Sequence, residues 1–253
     1  MASTADVQEH LTSFKSWFAS ASRVTVAYSG GLDSHVLLHA LASWLEPGHL
    51  QALHINHQLS PQADSWQAHC AEICANLQVA FISRKITVST SGSLETAARE
   101  ARYRVFVETL RKGELLLLAH HANDQAETVL FRLMRRHGAR GLAGMPVSRP
   151  LGAGRLLRPL LGLKREALRD YALHYRLQWV EDESNVSLQH DRNYLRHRVM
   201  PVLTQRWPDL VERINTAADR CRTAADLSDT LARADLSELL PRDERLGWSV
   251  DMT

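Results

Sequence analysis

The stretch Ser29-Gly30-Gly31-Leu32-Asp33-Ser34 follows directly on the apolar run Val24-Thr25-Val26-Ala27-Tyr28. These residues read as a buried strand and a glycine turn, followed by a helix with apolar positions at Val36, Leu37, Leu38, Leu41 and Leu45. Paired glycines permit a sharp turn, and a turn that opens a helix gathers backbone N–H groups at the positive end of the helix dipole. That geometry suits phosphate. The hydroxyls of Ser29 and Ser34 can donate to phosphate oxygens, whereas the Asp33 carboxylate repels phosphate and makes sense there chiefly as a Mg²⁺ ligand. As an alternative, Asp33 and Ser34 are ordinary helix-start residues. The Gly-Lys-[Ser/Thr] ending of loops that transfer a γ-phosphate is missing.

Strand and helix signals alternate through the first half of the chain. Strands are predicted at 50–55, 79–83 and 115–119. Helices are predicted from Pro61 to about 77, over 93–110 after a Ser/Thr/Gly loop at 87–92, and from 120–124 to about 136. Such alternation implies parallel pairing with right-handed crossovers, hence an α/β fold with a doubly wound, Rossmann-like parallel sheet. From 138 to 162 the pattern lapses into a loop rich in Gly, Pro and Arg. Beyond it a smaller helical region is predicted over 164–175, 193–203 and about 208–231. The expected organisation is a domain over 1–206, then a helical appendage or the start of a linker over 207–253.

Composition narrows the classes. The chain has 253 residues, 45% hydrophobic and 23% charged, as in ordinary globular proteins. No apolar run approaches bilayer length, so no membrane association is expected. Three cysteines and the lack of a signal-like N-terminal segment predict a reducing, cytoplasmic location. Net charge is only +2, but residues 131–170 carry ten basic side chains against two acidic ones. Glycines and prolines interrupt that segment, so a flexible cationic loop beside a nucleotide site favours a polyanionic partner, RNA. Cys70 and Cys74, four apart on a predicted helix, read as buried thiols rather than as a metal pair.

In open parallel sheets ligands gather beyond the carboxyl ends of the strands. After the second strand, His54 and Asn56 either line a nucleotide pocket or stabilise the turn. After the fourth, Asp124 and Glu127 either cap the helix that His120-His121 opens or complete a Mg²⁺ shell. Arg102 and Tyr103 either point to the site or serve as a surface arginine and a core aromatic.

The motifs SGGLDS, HINHQLS, ARYRVF, AHHANDQAETVLFRL, RHGARGLAGM, RPLLGLKRE, EDESN and RNYLRHRVMPVL, in that order over about residues 22–204, resemble the tRNA(Ile)-lysidine synthetase family. The hexapeptide itself resembles the pyrophosphate loop of enzymes that split ATP into AMP and pyrophosphate, in the adenine nucleotide alpha hydrolase-like fold. The resemblance implies a ligase that uses ATP and Mg²⁺. It would adenylate the wobble cytidine of a CAU-anticodon isoleucine tRNA and then attach L-lysine, with a homodimer left open. It implies that Ser29, Gly30, Gly31, Leu32, Asp33 and Ser34, with His54 and Asn56, hold the nucleotide, and that Asp33 and Asp124 ligate metal. Arg102, His120, Asp124 and Glu127 would serve the reacting centre, and Arg135, Arg136, Arg140, Arg192, Asn193 and Arg196 would approach the RNA. Three features depart from the family pattern. Asn123 replaces an aspartate, Arg136-His137 replace glycine and a small residue, and the C-terminal domains of many members have no counterpart before Thr253. A thiolase built on the same loop and a non-catalytic nucleotide-binding module are the alternative readings. No CxxC pair supports the thiolase.

Overall fold

The computed structural model describes residues 4–87, 94–181, 191–238, 241–242 and 249–250. The loop at 88–92 and the EDESN motif beyond Glu181 lie outside them. The described chain divides into two compact units, one of residues 1–125 and 146–188 and one of residues 126–145 and 189–253. This division falls elsewhere than the expected boundary at 206.

The first unit is built on a six-stranded sheet of β1 (Arg23–Ala27), β2 (Leu50–Asn56), β3 (Ala80–Lys85), β4 (Glu114–Leu117), β5 (Ser148–Leu151) and β6 (Gly154–Leu157), in the order β3-β2-β1-β4-β6-β5. All neighbours pair in parallel except β5 with β6. Val24 of β1 lies level with Leu50 of β2 and Leu115 of β4, which brings three apolar side chains into one row. The central strands are covered on both faces, so they read as continuous apolar runs. A buried polar pair among them is satisfied, with Gln51 Nε2 donating to Thr25 Oγ1 at 2.8 Å.

Helices α3 (Leu32–Ala42), α4 (Ala63–Asn76), α5 (Leu94–Thr109) and the start of α6 (Ala122–Met134) connect the strands much as the apolar periodicity predicts. One core packs Val24, Val26, Leu37, Leu41 and Leu117 with Leu168 and Tyr171 of α8 (Arg165–His174). A second gathers Leu53, Phe106, Leu116 and Leu156. Each such fully buried aliphatic side chain contributes roughly 1.5–3 kcal/mol.

Two segments differ from expectation. Residues 4–20, for which no structure is predicted above, form α1 (Thr4–Thr12) and α2 (Lys15–Ser20). Val7 and Leu11, four apart, and Phe18 are buried in the first core. The supposed loop at 138–162 contains α7 (Ala139–Leu142) and the β5–β6 hairpin. Its strands are four residues long, and one carries Pro150, tolerated because β5 is an edge strand. The burial of Leu156 and Leu157 beside β4 stabilises the pairing.

The second unit is helical. It takes up α6 from Ala126, α7, a helix running through α9 (Asp191–Tyr194), a π-helical turn (Leu195–Val199) and α10 (Met200–Arg206), and α11 (Leu210–Glu238). A short pair, β7 (Pro241–Arg242) with β8 (Ser249–Val250), follows. Residues 126–145 are held together by Arg132 and tied to α11 by Arg222. Arg222 donates to the carbonyls of Ala143 at 2.7 Å and Met145 at 3.2 Å, and Arg132 to those of Gly141 and Gly144, both at 2.8 Å.

Helix α6 ends in a Schellman arrangement, with His137 N–H donating to Arg132 O and Arg136 N–H to Leu133 O. Arg136 therefore takes a φ of +58°, the left-handed conformation that glycine adopts without strain. Glycine, which the resemblance implies at this position, would take that conformation without strain. Arg136→Gly is expected to stabilise the protein by about 1 kcal/mol, raising Tm by roughly 2–4 °C, as read by calorimetry. A lowered Tm would contradict the geometry. Among the described residues no helix is long and apolar enough to cross a membrane.

Candidate active site

The sheet winds outward from β1 to β2 and β3 in one direction, then resumes at β4 on the other side. The reversal between β1 and β4 opens a crevice at their carboxyl ends, where the hexapeptide and the His120–Asp124 segment both begin. Both segments are among those the sequence marks as candidates, and the topology makes them neighbours.

The hexapeptide is braced from within. Ser34 Oγ accepts from Ser29 N–H at 3.2 Å, donates to Gly31 O at 3.0 Å and lies 3.0 Å from Ser29 Oγ. Ser34 is buried and Ser29 exposed. Gly31 caps α3 without any side-chain cap, and the first intrahelical bond runs from His35 N–H to Gly31 O. The N–H groups of Leu32, Asp33 and Ser34 thus have no intrahelical acceptor. Leu32 is itself in the core, which fixes where those donors sit.

Gly30 has φ +85°, its carbonyl accepts from Val180 N–H, and a Cβ there would lie 2.8 Å from the buried Cys70 sulfur. Gly30→Ala combines left-handed strain with overpacking and is expected to lower stability by about 2–4 kcal/mol. Denaturant unfolding measures this. Adding Cys70→Ala should recover the packing part, and no recovery would mean that the sulfur does not support the loop. Burial pushes the Cys70 and Cys74 thiols up to about 12, Cys74 adding to the effect on Cys70. Both are free and buried, as expected.

His121, rather than His120, stands among the acids. Its Nε2 lies 3.6 Å from Asp33 Oδ2 and 3.5 Å from Asp124 Oδ2. His121 precedes α6 as its N-cap. His121 N–H donates to Asp124 Oδ2 at 3.1 Å and Asp124 N–H donates to His121 Nδ1 at 3.3 Å, a reciprocal capping box. A donor at Nδ1 leaves the ring hydrogen on Nε2, the nitrogen facing both carboxylates. Capping and convergence on the crevice are therefore one arrangement. Its signal was in the sequence, since His121 and Asp124 have the N-cap-to-N3 spacing.

His120 accepts at Nδ1 from Arg158 Nε at 3.3 Å. Arg158 follows β6, at the same edge of the sheet, and only 3% of it is exposed. Asn123 does not face the acids. Its Oδ1 accepts from Arg165 N–H at 3.0 Å, satisfying an orphan donor at the start of α8, a task an aspartate performs equally.

His54 Nδ1 bonds Tyr28 O at 2.9 Å, and burial, partly offset by that bond, lowers its pKa. Asn56 is engaged in structure. It donates to Asp64 at 2.9 Å and Gln67 at 3.1 Å and accepts from Gln58 N–H, so the turn-stabilising alternative describes its contacts. Arg102 on α5 lies near His57, whose pKa is brought down to about 4 by burial first, then by Arg102 and His54.

In the second unit Glu127 is 3% exposed and held by arginine. Arg196 donates Nε to Oε1 and Nη2 to Oε2, both at 2.8 Å, and Arg192 Nε approaches Oε2 at 3.4 Å. This joins residues that the resemblance places in different roles. Arg135 pairs with Asp191 at 3.6 Å and stacks on Phe131, and Arg140 pairs with Asp229. These exposed pairs are weak, and a phosphate can displace the acid. Asn193 lies on α9.

Asp33 Oδ1 is buried with no hydrogen-bond partner. An acceptor so placed, beside a second carboxylate and an anion-binding helix start, fits Mg²⁺, which takes one or two protein carboxylates and completes its shell with phosphate oxygens and water. Among the described residues no group of three or more His, Cys, Asp or Glu is arranged to hold a metal ion.

A tRNA(Ile)-lysidine synthase of Coxiella burnetii is 46% identical over 94% of this chain and 54% of its own length. One from Alkalilimnicola ehrlichii is 52% identical over 87% of this chain and 51% of its own. The chain thus spans about half the length of the curated relatives it matches. Among solved structures, a U34-tRNA thiolase from Methanococcus maripaludis shares the fold with a TM-score of 0.68 at 15% identity, covering 85% of this chain and 78% of that one. The model of the PP-loop domain matches residues 3–203, and with the braced hexapeptide at the sheet's switch point this establishes that the chain belongs to the PP-loop domain family.

Proposed function

We propose that this protein is a tRNA-modifying ligase that adenylates the wobble cytidine of a CAU-anticodon isoleucine tRNA and then joins L-lysine to it. The observation that carries the reading is the convergence of the α3 N-terminus, Asp33, His121 and Asp124 at the β1/β4 crevice. The names and 46–52% identities of the relatives described above support the choice of substrate.

In the first step the cytosine 2-oxygen attacks the α-phosphorus of ATP, and the bond to pyrophosphate breaks. The uncapped N–H groups of Leu32, Asp33 and Ser34 receive the departing pyrophosphate charge. Asp33 and Asp124 would hold Mg²⁺, which when bound neutralises phosphate charge. His121 keeps the two carboxylates from drifting apart by presenting Nε2–H to both. His120, with Nδ1 engaged by Arg158, presents Nε2–H as a donor toward oxygen. In the second step the neutral ε-amine of lysine attacks C2, the C2–oxygen bond to AMP breaks, and the amine loses a proton to base or solvent. A loop cytidine is splayed out more easily than a paired one, and the cationic segment at 131–170 supplies phosphate contacts.

A thiolase needs a reactive thiol or cluster at the site. The buried α4 thiols with pKa near 12 do not provide one. Incubation with ATP, Mg²⁺, labelled lysine and the CAU-anticodon transcript is expected to put label on RNA, with none on a transcript carrying uridine at the wobble position. Sulfur incorporation in place of lysine would overturn the reading.

A further inference from the structure

Arg158 is almost wholly buried and, among the described residues, forms no ion pair with a carboxylate. Taking a guanidinium out of water without counter-charge is costly, so its polar contacts have to compensate. Nη1 donates to Pro146 O at 2.7 Å and Nε donates to His120 Nδ1 at 3.3 Å, while the Tyr103 phenol lies against the group. The backbone sets this position. Leu117 of β4 pairs with Leu157 of β6, and Arg158 N–H donates to Val147 O at 2.8 Å. Arg158 therefore leaves the sheet beside the segment that leads to His120.

Tyr103 is fixed in turn. Its ring meets that of the buried Phe106 edge-on, with 5.5 Å between centres, and the Arg99 and Arg149 guanidinium groups stand 4.9 and 5.3 Å from its own centre. Burial raises the Tyr103 pKa, but the Arg99 charge, a hydrogen bond from Arg149 and the charges of Arg158 and Arg149 together bring it below its ordinary value. A phenol so surrounded is a better acceptor. Burial and the charges of Arg149 and Arg99 work against the Arg158 cation, and Tyr103 works for it.

The adjacent histidines thus face opposite charge. His121 turns Nε2 to the carboxylates of Asp33 and Asp124, whereas His120 turns Nδ1 to a guanidinium. A carboxylate behind an imidazole strengthens it as a base. A guanidinium carries only donors, so the Nδ1 that meets it is a lone pair and the ring hydrogen is left on Nε2. Such a ring has no lone pair left to take a proton.

We propose that Arg158 is a positioning residue that holds His120 in its neutral Nε2–H form, a hydrogen-bond donor and not a base, and that Tyr103 holds Arg158 in place. The catalytic consequence rests on the function proposed above; the state of the ring does not. In that reaction His120 supports oxygen charge as AMP passes to the cytidine, and the proton lost by the lysine amine goes to a group other than His120.

Nitrogen NMR of protein carrying isotope-labelled histidine reads the ring directly, the His120 signals being identified by their loss in His120→Gln. The wild type is expected to show a bare Nδ1 and a protonated Nε2. In Arg158→Met the donor is gone, so the two tautomers should interchange and both signals should move toward their average. The same variant is expected to lower kcat for tRNA-dependent pyrophosphate release by about 10- to 100-fold, the scale of one hydrogen bond from a charged group, with KM for ATP and tRNA nearly unchanged. Arg158→Lys, which restores a cationic donor, should recover part of the rate, and Tyr103→Phe should move the same signals by less. A residue that merely braced the Pro146 segment would lower Tm and raise KM while leaving the ring signals alone, and that result would overturn the proposal. A wild-type ring protonated on Nδ1 would overturn it as well. If Arg158→Met does not fold, the wild-type spectrum and that of Tyr103→Phe decide in the same way. If the wild type releases no pyrophosphate in response to tRNA, the ligase reading fails, and the spectra still uphold or overturn the hold of Arg158 on His120.

Discussion

Asp33→Asn is expected to lower tRNA-dependent pyrophosphate release by about 10²- to 10³-fold or more, the scale on which removing one electrostatic stabiliser acts. Asparagine keeps the shape of aspartate, so the loop braced by Ser29 and Ser34 and the buried Leu32 should hold its conformation. What is lost is charge, at an oxygen that is buried and has no donor of its own. On the proposed function Asp33 serves the phosphates rather than the RNA, so tRNA affinity should stay within about twofold, and a filter-binding titration beside the pyrophosphate assay separates the two effects. Retained activity would remove Asp33 from the metal site. A collapse in tRNA affinity would place it at the RNA instead.

Glu127→Ala should lower stability by about 3 kcal/mol, equivalent to roughly 6–12 °C in Tm. The carboxylate is 3% exposed and both oxygens are held by Arg196, so its removal strands two guanidinium groups around an empty space. The estimate is at the low end for a broken buried pair, because the Arg192 and Arg196 side chains are 33% and 27% exposed and recover some hydration. Glu127→Leu combined with Arg196→Met should restore most of the loss, since apolar packing often replaces a buried ion pair without cost. Calorimetry of the three proteins reads this directly, and an unchanged Tm in Glu127→Ala would mean the clamp is not formed.

Much of the sheet and its crevice could be read from the residues because their signals are local and strong. β1, β2 and β4 are apolar runs of ordinary length, and Gly30 supplies a positive φ where a turn must pass a buried sulfur. The β5–β6 hairpin could not be read that way. Four-residue strands containing Pro150, Arg149 and Arg155 carry no alternation of their own and exist because β4 offers an open edge to Leu156. Choosing between His120 and His121 requires the start of α6, which a histidine pair does not reveal unless the Asp124 spacing is read as a cap. The Glu127 clamp joins residues more than sixty positions apart, beyond any local pattern. Asn123 and Arg136, departures from the family pattern in sequence, become ordinary once their partners are seen. One satisfies the start of α8 and the other closes α6.

The central claim is that the crevice cleaves ATP between its α- and β-phosphates and hands the AMP to a tRNA base. Incubating the protein with ATP labelled at the α-phosphate, Mg²⁺ and the CAU-anticodon tRNA, with no lysine present, tests it most directly. The account predicts label on the RNA at the wobble cytidine, released as AMP when lysine is added, and no label on tRNA from Asp33→Asn. Formation of ADP, with no label transferred to RNA, would contradict it.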